Sequence, residues 1–230
     1  MDRREFLQAL SAIAALGCSA RAHGQSSTQG CALSGAAMGN MLNSVQVVQS
    51  TGVPLIDQIM PLEYQLLNQF FTVNPDFAFF DDGYAPNAYA SPTSMIGNSS
   101  HGSVLFGISL LQSELSKPWW GAAIAGISAH EFAHVAQFQM GVGGPTRSRE
   151  LHADFMAGWY LGAKQTYGTA VMINGLGQSL FNHGDFNFNN PSHHGTPQER
   201  IQSMYGGYQA GLQGSTVAQA FNQGRQVFGI

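Results

Sequence analysis

The chain has little charge. Of its 230 residues, nine are Lys or Arg and thirteen are Asp or Glu, so charged residues make up 10% of it. An ordinary soluble domain carries about 25%. So few bases, with a formal net charge of −4, exclude a nucleic-acid partner, because a phosphate backbone is held by clustered Lys and Arg. Past the N-terminal stretch, no segment reaches the ~18 uninterrupted apolar residues of a membrane-spanning helix. There is no internal repeat. Cysteine is limited to Cys18 and Cys31, and if the first of these leaves with an export signal, a disulfide framework is excluded. What the chain has in quantity is apolar surface, 44% hydrophobic and 11% aromatic residues. That is ample for a buried core and argues against disorder. It also has eight His, nearly as many as its bases. The length favours a single domain.

The N-terminus reads as an export signal. Arg3-Arg4-Glu5-Phe6-Leu7 is followed by an apolar run from Ala9 to Gly17 and then by Ser19-Ala20-Arg21-Ala22. A charged start, a short apolar stretch and a small-residue cleavage site define such a signal and not a membrane span. The paired arginines before Phe-Leu resemble a twin-arginine signal, used to export folded proteins. Residues 1–22 are therefore expected to be removed, leaving a soluble periplasmic or extracellular protein. A competing reading is an amphipathic first helix. Lipidation at Cys18 is a further alternative, although Ala15 stands where a lipid-attachment motif has a larger aliphatic residue.

Residues 23–40, rich in Gly, Ser, Gln and Ala, read as a lead-in to a domain over 41–230. Helical spacing runs from Met41 to Phe71, with a break at Thr51-Gly52-Val53-Pro54 and a kink expected at Pro61. Asp76–Phe80, Asn87–Ala90 and Ser103–Ile108 are short β-type runs separated by turn residues, which predicts a small antiparallel sheet. A short helix is predicted over Leu110–Leu115. A long one follows from Trp119 to Met140, apolar nearly all round and hence buried. Gly141 to Pro145 ends it, and Ser148 is placed to cap a helix running to about Tyr167. Further helices are predicted over Val171–Phe181, Pro197–Tyr208 and Thr216–Val227. The fold class is α+β, a mostly helical single domain. Trp119-Trp120 and Phe77–Phe80 read as core.

The long helix carries His130-Glu131-Phe132-Ala133-His134. Two His four residues apart lie about 40° apart on one helical face, so both imidazoles can reach one metal ion, and Glu131 lies on the same broad side. Eight His and six Glu placed at random would produce this pattern only about 0.007 times in such a chain. Its place on a helix free of Pro and Gly from Ile127 to Met140 makes an accident less plausible still. A catalytic zinc site takes three protein ligands and keeps one position open. The metzincin extension is excluded, since it needs Gly and His where Gln137 and Met140 stand. The next helix offers Glu150 as third ligand, with Asp154 one turn on as partner to a zinc-bound His. Asp154 or, less well placed, His152 are the alternatives for that ligand. The small face of Ala153, Ala157 and Gly158 would let this helix lie close to the motif helix.

These residues resemble a family. His130-Glu131-x-x-His134 followed by Glu150-x-x-Ala153-Asp154 is similar to the gluzincin zinc metallopeptidases, particularly soluble relatives of the HtpX-like peptidases and the neutral zinc metallopeptidases. The resemblance runs from about Asn87 to Arg200. It implies that Asn87 and Ala88, in Asn87-Ala88-Tyr89-Ala90, line the cleft and bind substrate backbone. It also implies that Val104–Leu111 is the strand leading towards the motif helix, and that His194 to Arg200 is a late His…Arg element. The short step from His134 to Glu150 is nearer the thermolysin type than the HtpX type.

The resulting expectation is an exported zinc-dependent endopeptidase acting on a peptide or protein substrate. Glu131 is its general base, His130, His134 and Glu150 hold Zn²⁺, and His194 is the oxyanion donor with His193 as alternative. Arg200 orients that His or holds the carboxylates. His101 and His183 are assigned hydrogen bonding at most. From another class comes a non-catalytic, zinc-stabilised periplasmic binding or assembly protein. A third reading is a metal-free helical interaction domain.

Overall fold

The computed structural model describes residues 46–83, 86–166, 173, 177 and 194–230. Residues 1–45 lie outside it, and with them the expected export signal and lead-in, Cys18 and Cys31. So do most of the helix predicted over Val171–Phe181, and His183 and His193. The described residues form an α+β fold, mostly helical, with a small sheet. In order they are β1 (Val47–Val48), α1 (Pro54–Phe71), β2 (Asp76–Phe80), β3 (Ala88–Ser91), β4 (Ser103–Gly107), α2 (Ile108–Leu115), α3 (Trp120–Gln139), α4 (Thr146–Thr166), α5 (Pro197–Leu212) and α6 (Val217–Phe228). They divide into two compact units whose boundary cuts α3 between His130 and Glu131.

The unit holding the sheet contains residues 46–113 and 131–142 among those described. Its strands lie in the order β1-β2-β4-β3. The sheet is mixed and not purely antiparallel: β1–β2 and β3–β4 are antiparallel, but β2 and β4 run parallel from Asp76↔Ser103 to Phe80↔Gly107. Two aspartates help to fix that pairing. Asp76, the first residue of β2, accepts bonds from the Ser99 amide (3.1 Å) and the Ser94 hydroxyl, both in the loop that leads into β4. Asp82, just past β2, accepts the Ser109 and Leu110 amides at 2.6 and 3.0 Å. It thereby satisfies donors at the start of α2 that the helix leaves open. Both ends of β4 are thus tied to the ends of β2.

Val48 was expected to be helical and instead pairs in β1 with Phe79. Two β-branched residues gain more from completing a sheet edge than from a short helix. The helix after Pro54 forms as expected and continues through Pro61 as one element. One face of the sheet gathers Ala78, Phe80, Tyr89 and Leu105 under Val47, Met95 and Ile96. From β2, Phe77 stacks on Tyr64 of α1, and Tyr64 and Phe71 in turn meet Phe132 of α3 at 5.5 and 6.2 Å between ring centres. Phe79 and Phe80 are core, as expected, and Trp120 is buried in the other unit.

That other unit is built on α4, α5 and α6. Glycine sets its tightest contact. A side-chain carbon on Gly158 or Gly162 would collide with the α5 backbone at Met204 or Tyr208. One on Gly207 or Gly211 would collide with the α4 backbone at Phe155 or Trp159. The small face of α4 at Gly158 is therefore spent on α5 and not, as expected, on the motif helix. On the α6 side, His152 and Phe155 meet Phe221 and Phe228 edge to face, and Trp159 Nε1 donates to Ser215 O at 2.8 Å. Gly141, at φ 63°, ends α3, with Val142 N donating to Gln137 O at 2.9 Å. Ser148 is inside α4 and not its cap, because the helix already begins at Thr146. A capping box opens α5, where Thr196 and Glu199 bond each other's amides. Thr216 and Gln219 do the same for α6.

Candidate metal centre

His130, Glu131 and His134 all lie on α3 and are buried. This helix is apolar nearly all round, so polar side chains on it need partners to offset the loss of water. For His130 the partners come from α4. Its Nδ1 stands 2.9 Å from Asp154 Oδ1, and its Nε2 stands 3.3 Å from Glu150 Oε2. Asp154 is held in turn by Arg200 of α5, whose Nε and Nη2 donate to Oδ2 and Oδ1 at 2.8 Å each. Burial alone would raise the Asp154 pKa. The charge and hydrogen bonds of Arg200, helped by His130, outweigh that and hold the carboxyl below its ordinary 3.8.

A carboxylate beside Nδ1 takes the proton of a neutral imidazole there, which turns the Nε2 lone pair to the opposite side. On that side stands another carboxylate oxygen. A lone pair facing a carboxylate oxygen needs a proton or a cation between them, whether the proton is carried by the ring or by the carboxyl. The 3.3 Å between the two atoms lets both reach one cation.

His134 completes the group. Ligand atoms of His130, His134 and Glu150 all lie within 4.8 Å of one another, so these three buried residues can hold a metal ion. His134 Nδ1 is 2.9 Å from Gln137 Oε1, one turn further along α3. Of the three candidates for third ligand, Glu150 is the one in the group. Asp154 is engaged by Arg200, while His152 points to α6, with Nε2 3.1 Å from Phe221 O. No protein family, no curated protein and no solved structure matches this chain.

His194 is buried in the segment before α5, outside the three-residue group. It is followed by Gly195, whose φ of 99° would strain any other residue and where an added side-chain carbon would crowd Leu151 at 2.9 Å. Asn87 binds at the sheet end: its amide donates to Asp82 Oδ2 at 3.2 Å and its carbonyl accepts from Gly107 N at 3.0 Å. Ala88 begins β3, an outer strand of the sheet, opposite Phe106 of β4. His101 is a hydrogen-bonding residue, its Nδ1 accepting from Asn74 N at 2.8 Å. Arg147 and Glu199, near the site in sequence, pair with each other at a half-exposed position. Gln137 is the residue that sequence reasoning passed over as a partner for the site. Its signal is the three-residue step from His134, which places it on the same helical face.

Proposed function

We propose that the chain is an exported zinc-dependent endopeptidase of the gluzincin type. The observation that carries this reading is the buried group of His130, His134 and Glu150 with Glu131 between the two His on the same helix. Two imidazoles and one carboxylate are a donor set that suits zinc. Among the described residues the group has three protein donors, where a structural zinc site takes four and a catalytic one keeps a position open. Bound there, zinc would supply Lewis-acid polarisation of a carbonyl and a more acidic water.

The chain's own residues supply the rest. Asp154, clamped by Arg200, keeps the His130 proton on Nδ1 and its Nε2 lone pair available. Glu131 accepts the proton of the attacking water and returns it to the leaving amine. His194 donates a hydrogen bond to the developing oxyanion. Arg200 acts on His130 through Asp154. Asn87 and Ala88 stand where the outer strand β3 begins, and an extended substrate segment pairing with that strand would add to the sheet. No described helix is long and apolar enough to cross a membrane. The twin arginines and the small residues at Ala20 and Ala22 support export.

Burial of all three donors favours a second reading, a non-catalytic zinc-stabilised periplasmic protein. Glu131 separates the two, because a structural site has no use for it. Glu131→Gln is expected to keep one zinc per chain while losing about 100-fold or more of casein-type cleavage. Cleavage that survives this substitution removes the mechanism. Zinc retained by a wild type without hydrolytic activity favours the second reading.

A further inference from the structure

We propose that Gln137 is the positioning residue for His134: it holds the imidazole in the Nδ1–H tautomer and so presents Nε2 to the metal. The inference rests on the zinc reading above for its purpose but on different residues for its geometry. Neither the zinc-ligand pattern nor the resemblance assigns Gln137 a role.

Gln137 Oε1 is 2.9 Å from His134 Nδ1 in a site where His134 is fully buried and Gln137 nearly so. An amide oxygen only accepts, so the shared proton sits on Nδ1. In a neutral ring the other nitrogen then carries the lone pair, which is the form a metal needs. Phe138 lies beside the His134 ring with centroids 6.5 Å apart and offers no acceptor.

His130 and His134 are thus oriented by different chemistry. His130 is backed by the carboxylate of Asp154, which is matched by Arg200. His134 is backed by an uncharged amide from its own helix. A second buried carboxylate at position 137 would add a charge needing compensation. An amide supplies the same acceptor without it. The i,i+3 spacing also means that the tautomer is set within α3 itself and does not depend on how α4 docks.

Two measurements on the whole protein test this. The first is the tautomer of His134 by ¹⁵N NMR on zinc-free wild type, where the Nδ1–H form is expected. The Nε2–H form overturns the proposal, whatever the metal does. The second is zinc affinity by competition with a chromophoric chelator. Gln137→Met keeps length and volume but removes the acceptor, and is expected to bind zinc about 10- to 100-fold more weakly. Gln137→Glu restores an acceptor and is expected to recover most of that loss. Wild-type affinity in Gln137→Met, or equal weakening in both variants, overturns the proposal. A wild type that takes up no zinc sinks the zinc reading alone, and the tautomer measurement still decides for Gln137.

Discussion

Arg200 grips Asp154 with two hydrogen bonds of 2.8 Å across 46 residues of chain, and the Asp154 oxygen that Nη2 holds also lies 2.9 Å from His130 Nδ1. The pair is buried, so neither charge has water to fall back on. Removing one partner strands the other. Asp154→Ala is expected to cost about 3–5 kcal/mol of stability. It should also weaken zinc binding by about 10- to 100-fold through loss of the His130 orientation. Urea unfolding and chelator competition measure the two effects, and a variant as stable as wild type would show that Arg200 has another counter-ion.

Glu150 and His152 stand two residues apart on α4 and face different neighbours. Glu150→Ala should therefore lose bound zinc on dialysis. His152→Ala should keep it, while losing the contact of its ring with Phe221 and about 1 kcal/mol of stability. Metal content and thermal melting, run on both variants, separate the roles. Zinc lost from His152→Ala but not from Glu150→Ala would reverse the ligand assignment.

The glycine contact between α4 and α5 carries Arg200 towards Asp154. A methyl group on Gly207 has to push against the Phe155 carbonyl, which is backbone and cannot rotate away. Gly207→Ala is expected to destabilise by at least about 1–3 kcal/mol, the usual range for overpacking. Denaturant midpoints would detect this easily. A neutral outcome would mean that α5 shifts without cost.

Glu199 provides a pH handle outside the candidate metal group. Its bond to Arg147, opposed by burial and helped further by the Thr196 cap, lowers its pKa from 4.5 to about 2. A carboxyl with a depressed folded pKa contributes stability that is fully present above its unfolded value. That contribution is lost as pH falls from about 4.5 through about 2. The group is partly exposed, so the pairing is worth about 1 kcal/mol or less. The difference in melting temperature between wild type and Glu199→Gln should shrink across that window, and a gap that persists unchanged down to pH 2 would show that ionisation is not its source.

Much of the site can be read along the chain because it depends on local periodicity. The four-residue step from His130 to His134 places both imidazoles on one helical face wherever α3 lies. Glycine and proline punctuation marked the ends of α3 and the starts of the elements around it, and the runs Asp76–Phe80 and Ser103–Gly107 announced β2 and β4 by their apolar and aromatic residues. Pairing was less legible. Nothing in those two runs says that they lie side by side in parallel with β3 outside, because that depends on which loop atoms Asp76 and Asp82 capture.

The amino-acid sequence by itself thus determined the helix, the His face and the supply of acids at Glu150 and Asp154, since each follows from spacing within one element. Tertiary structure alone decided the division of labour between those acids. Glu150 faces His130 Nε2, whereas Asp154 is drawn to Nδ1 by a guanidinium from another helix. That choice is electrostatic: a buried carboxylate goes where its charge is matched, and the match for Asp154 is Arg200, which only the glycine-packed meeting of α4 and α5 brings within reach.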